Sequence, residues 1–343
     1  MAWRMCKQLD DICVVGIISL LARISLIWEA LFMKKISVVS ACFNEEGNLQ
    51  EFYERLTVVF GRWPGYAWEV IIADNCSTDR SRDILRGIAS KDSRFKVILN
   101  ANNFGHIRSP FNALLQATGD AVVMLCSDLQ EPPEMIDQFV KQWEAGYQVV
   151  CAVKPTSLEN PLMFQLRRAY YQLLASCSET PQIQNFTGFG LYDRKVIDAI
   201  KQFKEPYPYF RGLVSEIGFK RVELPFQQAA RLRGKTKNNW FTLYDMAMTG
   251  FVNHTKLPLR MAAFFGFVLA FLSLIVAVGY FIYKLLFWQT FSLGLAPMVI
   301  GLFFFSSVQL IFIGILGEYI GAVWTQVKNK PLVIEEERIN FDD

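Results

Sequence analysis

The 343-residue sequence predicts an α/β fold: a largely parallel sheet covered by helices on both sides, followed by interfacial helices and two transmembrane helices. Three observations predict it. From residue 34 onward, short apolar runs alternate with amphipathic stretches at the spacing of β–α–β units. Polar loops close several successive strands, the place where open α/β sheets bind ligands. Two apolar runs between residues 259 and 325 are each long enough to cross a bilayer.

Residues 1–33 form an uncertain extension. Ile12 to Trp28 is apolar, but Arg23 interrupts it and Asp10 and Asp11 precede it. It reads as a poor anchor, an interfacial helix, or translated sequence upstream of a start at Met33, the reading we favour. No small-residue cleavage site follows, which argues against a signal peptide.

Residues 34–237 carry the sheet. Ile36 to Ala41 is a strand ending in Cys42-Phe43-Asn44-Glu45-Glu46-Gly47, and the helix Asn48 to Phe60 places Leu49, Phe52, Tyr53 and Leu56 on one face. Trp68 to Ala73 is a second strand, ending in Asp74-Asn75-Cys76-Ser77-Thr78-Asp79 before the helix Ser81 to Ser90. Lys96 to Leu99 is a third, followed by Asn102-Asn103-Phe104-Gly105 and the helix Ser109 to Ala117. His106, beside that loop, reads as an exposed polar residue.

The chain is organised around the next strand. Ala121 to Leu125 is apolar and partly β-branched, suiting burial on both faces. It stops at Ser127, Asp128 and Gln130, and Pro132-Pro133 then open a new helix. A carboxylate and an amide oxygen two positions apart can share one hard cation, with phosphate oxygens completing its shell. Asp128 capping the following helix is the competing reading. The loop alone leaves both open; the recurrence of polar loops along the sheet favours a ligand.

Gln138 to Gly146 is a helix, Gln148 to Val153 a strand, and Leu162 to Ser176 an amphipathic helix carrying Arg167 and Arg168. Asn185 to Asp193 is glycine-rich and aromatic, and suits a backbone running close to a ligand or an ordinary turn. A basic loop, Arg231, Arg233, Lys235 and Lys237 around Gly234, ends the domain. It is a headgroup patch or a phosphate-capturing loop, and its place between cleft and membrane favours the second.

Residues 238–258, with Trp240, Phe241, Tyr244 and Phe251, read as juxtamembrane interfacial helices, with a core helix as the competing reading. Met261 to Tyr283 and Pro297 to Val323 form the two-helix transmembrane domain within 259–325. The connector Phe287 to Leu295 has no Lys or Arg, whereas Lys256, Arg260, Lys328 and Lys330 lie outside the pair. Both flanks, the sheet and a tail at 326–343 therefore face the cytoplasm of a plasma (inner) membrane protein. Glu318 at the inner boundary reads as structural.

The formal charge of +3 is too small for a nucleic-acid binder. Seven scattered cysteines without a Cys-x-x-Cys pair, and only two histidines, argue against zinc and fit a reducing compartment.

Asn44-Glu45-Glu46, Asp74 to Asp79, Asn103-Phe104-Gly105, Ser127-Asp128-Leu129-Gln130 with Pro132-Pro133, and Leu316-Gly317-Glu318-Tyr319-Ile320-Gly321 occur in order. Together they resemble the family 2 glycosyltransferases that act on polyprenyl phosphates, such as dolichol-phosphate mannose synthase and bactoprenol glucosyltransferase. The resemblance covers roughly residues 34 to 335, and the ordered set is far more specific than any one motif. It implies a GT-A (Rossmann-like) domain, a Mg²⁺ or Mn²⁺ ion, and inverting transfer of sugar from a nucleoside diphosphate, UDP by analogy, to a lipid phosphate. Membrane lipids are implied partners, and a homo-oligomer, a tetramer in some two-helix relatives, is implied as well.

Carried over by position, Asp74 contacts the base, and Asp128 and Gln130 hold the metal. Asn44, Glu45, Ser77, Asp79, Asn103, Gly105 and Ser127 surround the nucleotide-sugar, although Asn44 and Glu45 equally suit a role in shaping their loop. The family's Asp-Ala-Asp-Leu-Gln has Cys126 in place of the first Asp, and its Gly-Asp-Phe-Arg-Leu is replaced by Gly188-Phe-Gly-Leu. Its Arg-x-x-Gly-x-Ser-Lys persists as Arg231 to Lys237 with Thr236 for Ser, while an upstream partner arginine is Gln228.

The lost acid does not exclude catalysis. A hydroxyl acceptor usually needs a general base, whereas a phosphate monoester, with a second pKa near 6, is already an anionic nucleophile at pH 7. The need is instead to hold that anion near a negatively charged donor, a task for Arg211, Arg231 and Lys237. Glu216 is a candidate to replace the missing carboxylate, or a plain surface acid. Three rivals stand beside this reading: a non-catalytic scaffold that kept the fold, a transferase acting on another lipid-linked acceptor, and a processive polysaccharide synthase. The last is disfavoured by two spans only and no Gln-x-x-Arg-Trp sequence.

Overall fold

The computed structural model describes residues 33–154, 183–203, 205, 207–228, 257–287, 295–328 and 330–341. The extension at 1–32, the predicted helix at 162–176, the basic loop and the interfacial helices lie outside the described residues.

The elements run β1 (Lys35–Cys42), α1 (Leu49–Arg62), β2 (Ala67–Asp74), α2 (Ser81–Lys91), β3 (Phe95–Asn100), α3 (Gly105–Gln116), β4 (Ala121–Met124), α4 (Ile136–Glu144), β5 (Val149–Val153), β6 (Phe186–Asp193), α5 (Arg194–Ile200), α6 (Phe210–Ile217), β7 (Arg221–Pro225), α7 (Leu257–Leu286), α8 (Leu295–Val327) and β8 (Glu335–Ile339). They build one eight-stranded sheet in the order β7-β5-β6-β4-β1-β2-β3-β8. The strands β4, β1, β2 and β3 are parallel, as predicted. The sheet as a whole is mixed, because β6 runs antiparallel to β4 and β5, and β8 antiparallel to β3.

Continuous apolar runs make strands that are buried on both faces. Ile36, Val38, Val70 and Ile72 enter one core with Leu49, Phe52 and Leu56 of α1, Leu85 of α2 and Phe139 of α4. The alternate positions Val39, Ile71, Ala73 and Ile98 enter a second core with Phe111 and Leu114 of α3, Val196 of α5 and Leu213 of α6. Alternation across the pleat thus supplies two helical layers from one set of strands.

Among the described residues three acids are buried, Glu69, Asp74 and Glu131, and the first of them braces the sheet. Glu69 in β2 is 2% exposed; its Oε1 accepts from Ser37 Oγ at 2.5 Å and from the Thr118 backbone N–H and hydroxyl at 2.7 and 2.8 Å. Its Oε2 lies 3.1 Å from Lys35 Nζ and 3.2 Å from Lys96 Nζ. Burial alone raises such a carboxyl, but the bonds from Ser37 and Thr118 and the Lys35 charge outweigh it and hold the pKa at about 2. A folded pKa below the unfolded value gives stability that is present above the unfolded pKa and lost as pH falls toward about 2. Wild type is expected to lose about 3 kcal/mol over that acid interval through this group. Denaturant titration should show Glu69→Gln less stable at pH 7 and flatter below pH 4.5; a parallel pH dependence would contradict this.

The glycine-rich segment at 185–193 is a central strand, and its glycines serve the sheet. A Cβ on Gly190 would lie 2.2 Å from the Val150 carbonyl oxygen of β5. Gly188 has φ +102°, a left-handed conformation that side chains rarely adopt.

The tail predicted at 326–343 is corrected in a similar way. Helix α8 continues to Val327, and β8 then closes the sheet edge beside β3. Asn112 Nδ2 donates to Glu335 Oε1 at 2.8 Å, Arg86 pairs with Glu337 at 2.7 Å, and Asn340 Nδ2 donates to the carbonyls of Ala89 and Phe95. The chain therefore leaves the apolar helices and re-enters the α/β domain.

α7 and α8 contain two segments, Leu259–Tyr283 and Gly301–Val327, long and apolar enough to cross a membrane. Their large side chains are bare, Phe267 at 76% and Leu302 at 65% exposed. Apolar surface on that scale marks a site of association with a membrane or another protein.

Candidate active site at the carboxyl ends of the central strands

Four loops meet at one end of the parallel strands. Asn44 follows β1, Asp74 ends β2, Asn103 follows β3 and Asp128 follows β4. Three of these loops hold a non-glycine residue in the left-handed region: Asn44 at φ 58°, Cys76 at 64° and Leu129 at 60°. Such strain gathers where a chain must present particular groups.

Hydrogen bonds lace the first two loops together. Asn44 Oδ1 accepts from the Thr78 N–H at 2.8 Å, and the Asn44 N–H donates to Ser77 Oγ at 2.9 Å. The Glu45 N–H donates to Ser81 Oγ, and the Glu45 carboxylate accepts from Asn48 Nδ2 at 2.6 Å. Asp79 accepts from the N–H groups of Ser81 and Glu46. Asn44, Glu45, Ser77 and Asp79 therefore shape the rim.

Asp74 is fully buried at the floor. Its Oδ2 accepts from the Ser77 N–H at 3.0 Å and Arg82 Nε at 2.8 Å, while Oδ1 has no hydrogen-bond partner among the described residues. Asn75 organises the third loop: its Nδ2 donates to Asn103 Oδ1 and the Gly105 carbonyl, and its Oδ1 accepts from the Phe104 N–H. Asn103 Oδ1 also accepts from the Gly105 N–H at 2.9 Å.

In the fourth loop, Leu129 turns its side chain into the core at 4% exposure, and Asp128 and Gln130 flank it half-buried. The Gln130 N–H donates to Asp128 Oδ1 at 3.1 Å. Ser127 is buried and donates to the Ala41 carbonyl, a tie to β1 rather than a group facing the cleft. Glu131, buried beneath, accepts from the Cys126 N–H at 2.8 Å and the Thr187 hydroxyl at 2.9 Å. Burial raises its carboxyl pKa above the ordinary range.

A hard dication favours oxygen donors, and Asp128 and Gln130 supply a carboxylate and an amide oxygen on one turn. Glu131 next to Cys126 raises the thiol's pKa, and a neutral thiol is a poor ligand for Mg²⁺. The donor set fits a cation that takes further oxygens from a bound phosphate. Among the described residues no three His, Cys, Asp or Glu side chains form a metal cluster on their own.

Residues 37–201 match the family model described as Glycosyl transferase family 2. An uncharacterized glycosyltransferase of Bacillus subtilis (strain 168), YkcC, is 32% identical over 90% of this chain and 95% of its own. The SfII prophage-derived bactoprenol glucosyl transferase of Shigella flexneri is 31% identical over 88% of this chain and 97% of its own. The chain belongs to glycosyl transferase family 2. Among solved structures, glucosyl-3-phosphoglycerate synthase from Mycobacterium tuberculosis, in complex with Mn²⁺, uridine diphosphate and glucosyl-3-phosphoglycerate, aligns with 64% of this chain and 78% of its own at 18% identity, TM-score 0.43.

The remaining candidates of this glycosyltransferase divide. Arg211 is half-buried near the start of α6; His106 is exposed, as expected, with its imidazole pKa lowered by desolvation and then by the Arg211 charge. Glu216 is exposed near the end of the same helix, on the side of Glu205. Arg231 and Lys237 lie outside the described residues. Sequence reasoning did not single out Asn75, Arg82, Glu131 or Thr187. Arg82 joins Asp74 to Glu336 of β8 at 2.9 Å and to the Asn100 carbonyl at 2.6 Å, a link across 254 residues that no local pattern signals.

Proposed function

We propose that this glycosyltransferase is membrane-bound and moves a sugar, with inversion, from a UDP-linked donor to a polyprenyl phosphate such as undecaprenyl phosphate, in cell-envelope glycan assembly or modification. The observation that carries the reading is the Asp128–Leu129–Gln130 turn, at the end of a parallel strand in a chain that also bears two bilayer-length helices. Similarity to bactoprenol glucosyl transferases supports the acceptor class. Four cations on the outer flanks of the helix pair, Lys256, Arg260, Lys328 and Lys330, against one between the helices, Lys284, support a cytoplasmic sheet domain. We also propose assembly as a homo-oligomer, such as a tetramer.

Asp128 and Gln130 hold Mg²⁺ or Mn²⁺. When bound, the ion neutralises the donor diphosphate and stabilises it as the leaving group. Asp74, with one carboxylate oxygen unpartnered, offers an acceptor suited to a base imide N–H. Asn44, Glu45, Ser77, Asp79, Asn103, Gly105 and Ser127 keep the four loops at the spacing the donor needs. Arg211, Arg231 and Lys237 hold the acceptor phosphate, which is already ionised and needs no base to remove a proton. Glu216 is the candidate for orienting that acceptor.

The test is transfer. Purified protein is incubated with Mg²⁺ or Mn²⁺, undecaprenyl phosphate and a panel of nucleotide sugars, and a lipid-linked sugar is expected from one donor. No product from any donor, together with no nucleotide binding, would favour a scaffold. Arg231→Ala is expected to raise the acceptor KM about 10- to 100-fold, the loss of one charge-assisted hydrogen bond. The UDP Kd should change less than about twofold; an equal change in both would remove Arg231 from the acceptor site.

A further inference from the structure

Where α8 meets the α/β domain there is a notch of about 240 Å³ lined by Arg108, Tyr207, Trp324, Thr325, Lys328 and Lys330. Three of the six are cations and none is an acid. Lys328 Nζ lies over the Trp324 ring at 4.6 Å. Arg108 donates from Nη2 to the Pro331 carbonyl at 2.5 Å, while its Nε is buried without a partner among the described residues. Neither Lys328 nor Lys330 has a carboxylate partner among the described residues. Uncompensated positive charge of this kind attracts a phosphate.

A second feature lies directly below. Gly314, Gly317 and Gly321, at spacings of three and four, share one face of α8, and the same stripe continues through Trp324 and Thr325 to Lys328. Among the described residues, a Cβ at any of these glycines would meet nothing within 4 Å. Ten residues of helix separate Gly314 from Trp324, roughly 15 Å, the depth of one leaflet of hydrocarbon. A bare helix face of leaflet length under a basic, tryptophan-edged notch matches a single molecule with an anionic head and an apolar chain.

We infer that the notch holds the phosphate of a resident anionic glycerophospholipid, with one acyl chain lying along the glycine face of α8. The location favours a resident lipid over the acceptor. Arg108 bonds to Pro331, four residues before β8, and β8 is four strand spacings, roughly 19 Å, from β4 and its Asp128 loop. The seated lipid ties the end of α8 to α3 through Arg108. The inference rests on α7 and α8 crossing the bilayer, and not on the transfer reaction.

The test uses the full chain in detergent, with dioctanoyl phosphatidylglycerol and dioctanoyl phosphatidylcholine counted by native mass spectrometry. Phosphatidylglycerol is expected to bind at least roughly tenfold more tightly. The double variant Lys328→Gln/Lys330→Gln is expected to weaken it about 25-fold, at roughly fivefold for each charge removed. Arg108→Gln serves as a second variant with the same direction. Equal binding of the two lipids, or no change in the double variant, would overturn the inference. So would displacement by undecaprenyl phosphate, which assigns the notch to the acceptor, or by millimolar inorganic phosphate, which makes it a free-anion site. Lipid-free oligomers would give the glycine face to a second copy and overturn it as well.

Discussion

Asp128→Ala is expected to lower transfer about 10³-fold while leaving the protein folded. Asp128 is the charged oxygen donor of the metal-holding turn proposed above, half-buried after β4. Glu131 is buried and occupied by the Cys126 N–H and the Thr187 hydroxyl, and Cys126 stands where the family resemblance implies an acid. Removing the carboxylate leaves Gln130 alone to hold a dication, and the diphosphate would depart without its counter-charge. Losing one such electrostatic contact typically costs 10²- to 10³-fold, and loss of the ion itself belongs at the upper end. The side chain is half-buried at a turn, so an alanine leaves no core cavity. Steady-state turnover at saturating donor measures the effect, with unchanged thermal unfolding as the control. Turnover within threefold of wild type would remove Asp128 from the mechanism.

Gly190→Ala is expected to be the most damaging substitution for stability. Gly190 lies in β6, between Met124 of β4 and Cys151 of β5. An added Cβ would sit 2.2 Å from the Val150 carbonyl oxygen, 3.2 Å from its carbonyl carbon and 3.4 Å from Cys151 Cα. Every obstacle is backbone, so no rotamer change relieves it. Relief would require β5 to move, which breaks its ladders with both β6 and β7. We expect a loss of more than about 4 kcal/mol, or no folded protein. Gly61→Ala, exposed in α1 with nothing within 4 Å, is the matched control and should be neutral or slightly stabilising. A thermal midpoint for Gly190→Ala within about 2 °C of wild type would contradict the packing described.

These two residues show what the sequence makes legible. The strand ending in the Asp128 loop could be read because β-branched apolar residues stop abruptly at polar ones and two prolines. β1 to β4 and their helices follow from the same alternation, and the apolar helices from length alone. Gly190 was hidden: two glycines in nine residues look like a turn, and only the approach of β5 explains them. β8 was hidden for the opposite reason. Glu335-Glu336-Glu337-Arg338 is charged because it is an edge strand, with Glu336 and Glu337 paired to the arginines of α2. The rim of the site was legible as a set of motifs, but not the division of labour within it. Asn44, Ser77 and Asp79 lace loops together, Ser127 ties β4 to β1, and Arg82 braces Asp74 from behind; each depends on a partner distant in sequence.

The central claim is that a divalent cation joins the Asp128 loop to the diphosphate of the donor. Calorimetric titration of the purified protein with UDP, in Mn²⁺ and then in EDTA, tests it most directly. The account predicts saturable binding in Mn²⁺ that weakens at least about tenfold in EDTA and to the same extent in Asp128→Ala with the metal present. UDP binding of equal strength with and without the cation, and indifferent to Asp128, would contradict it.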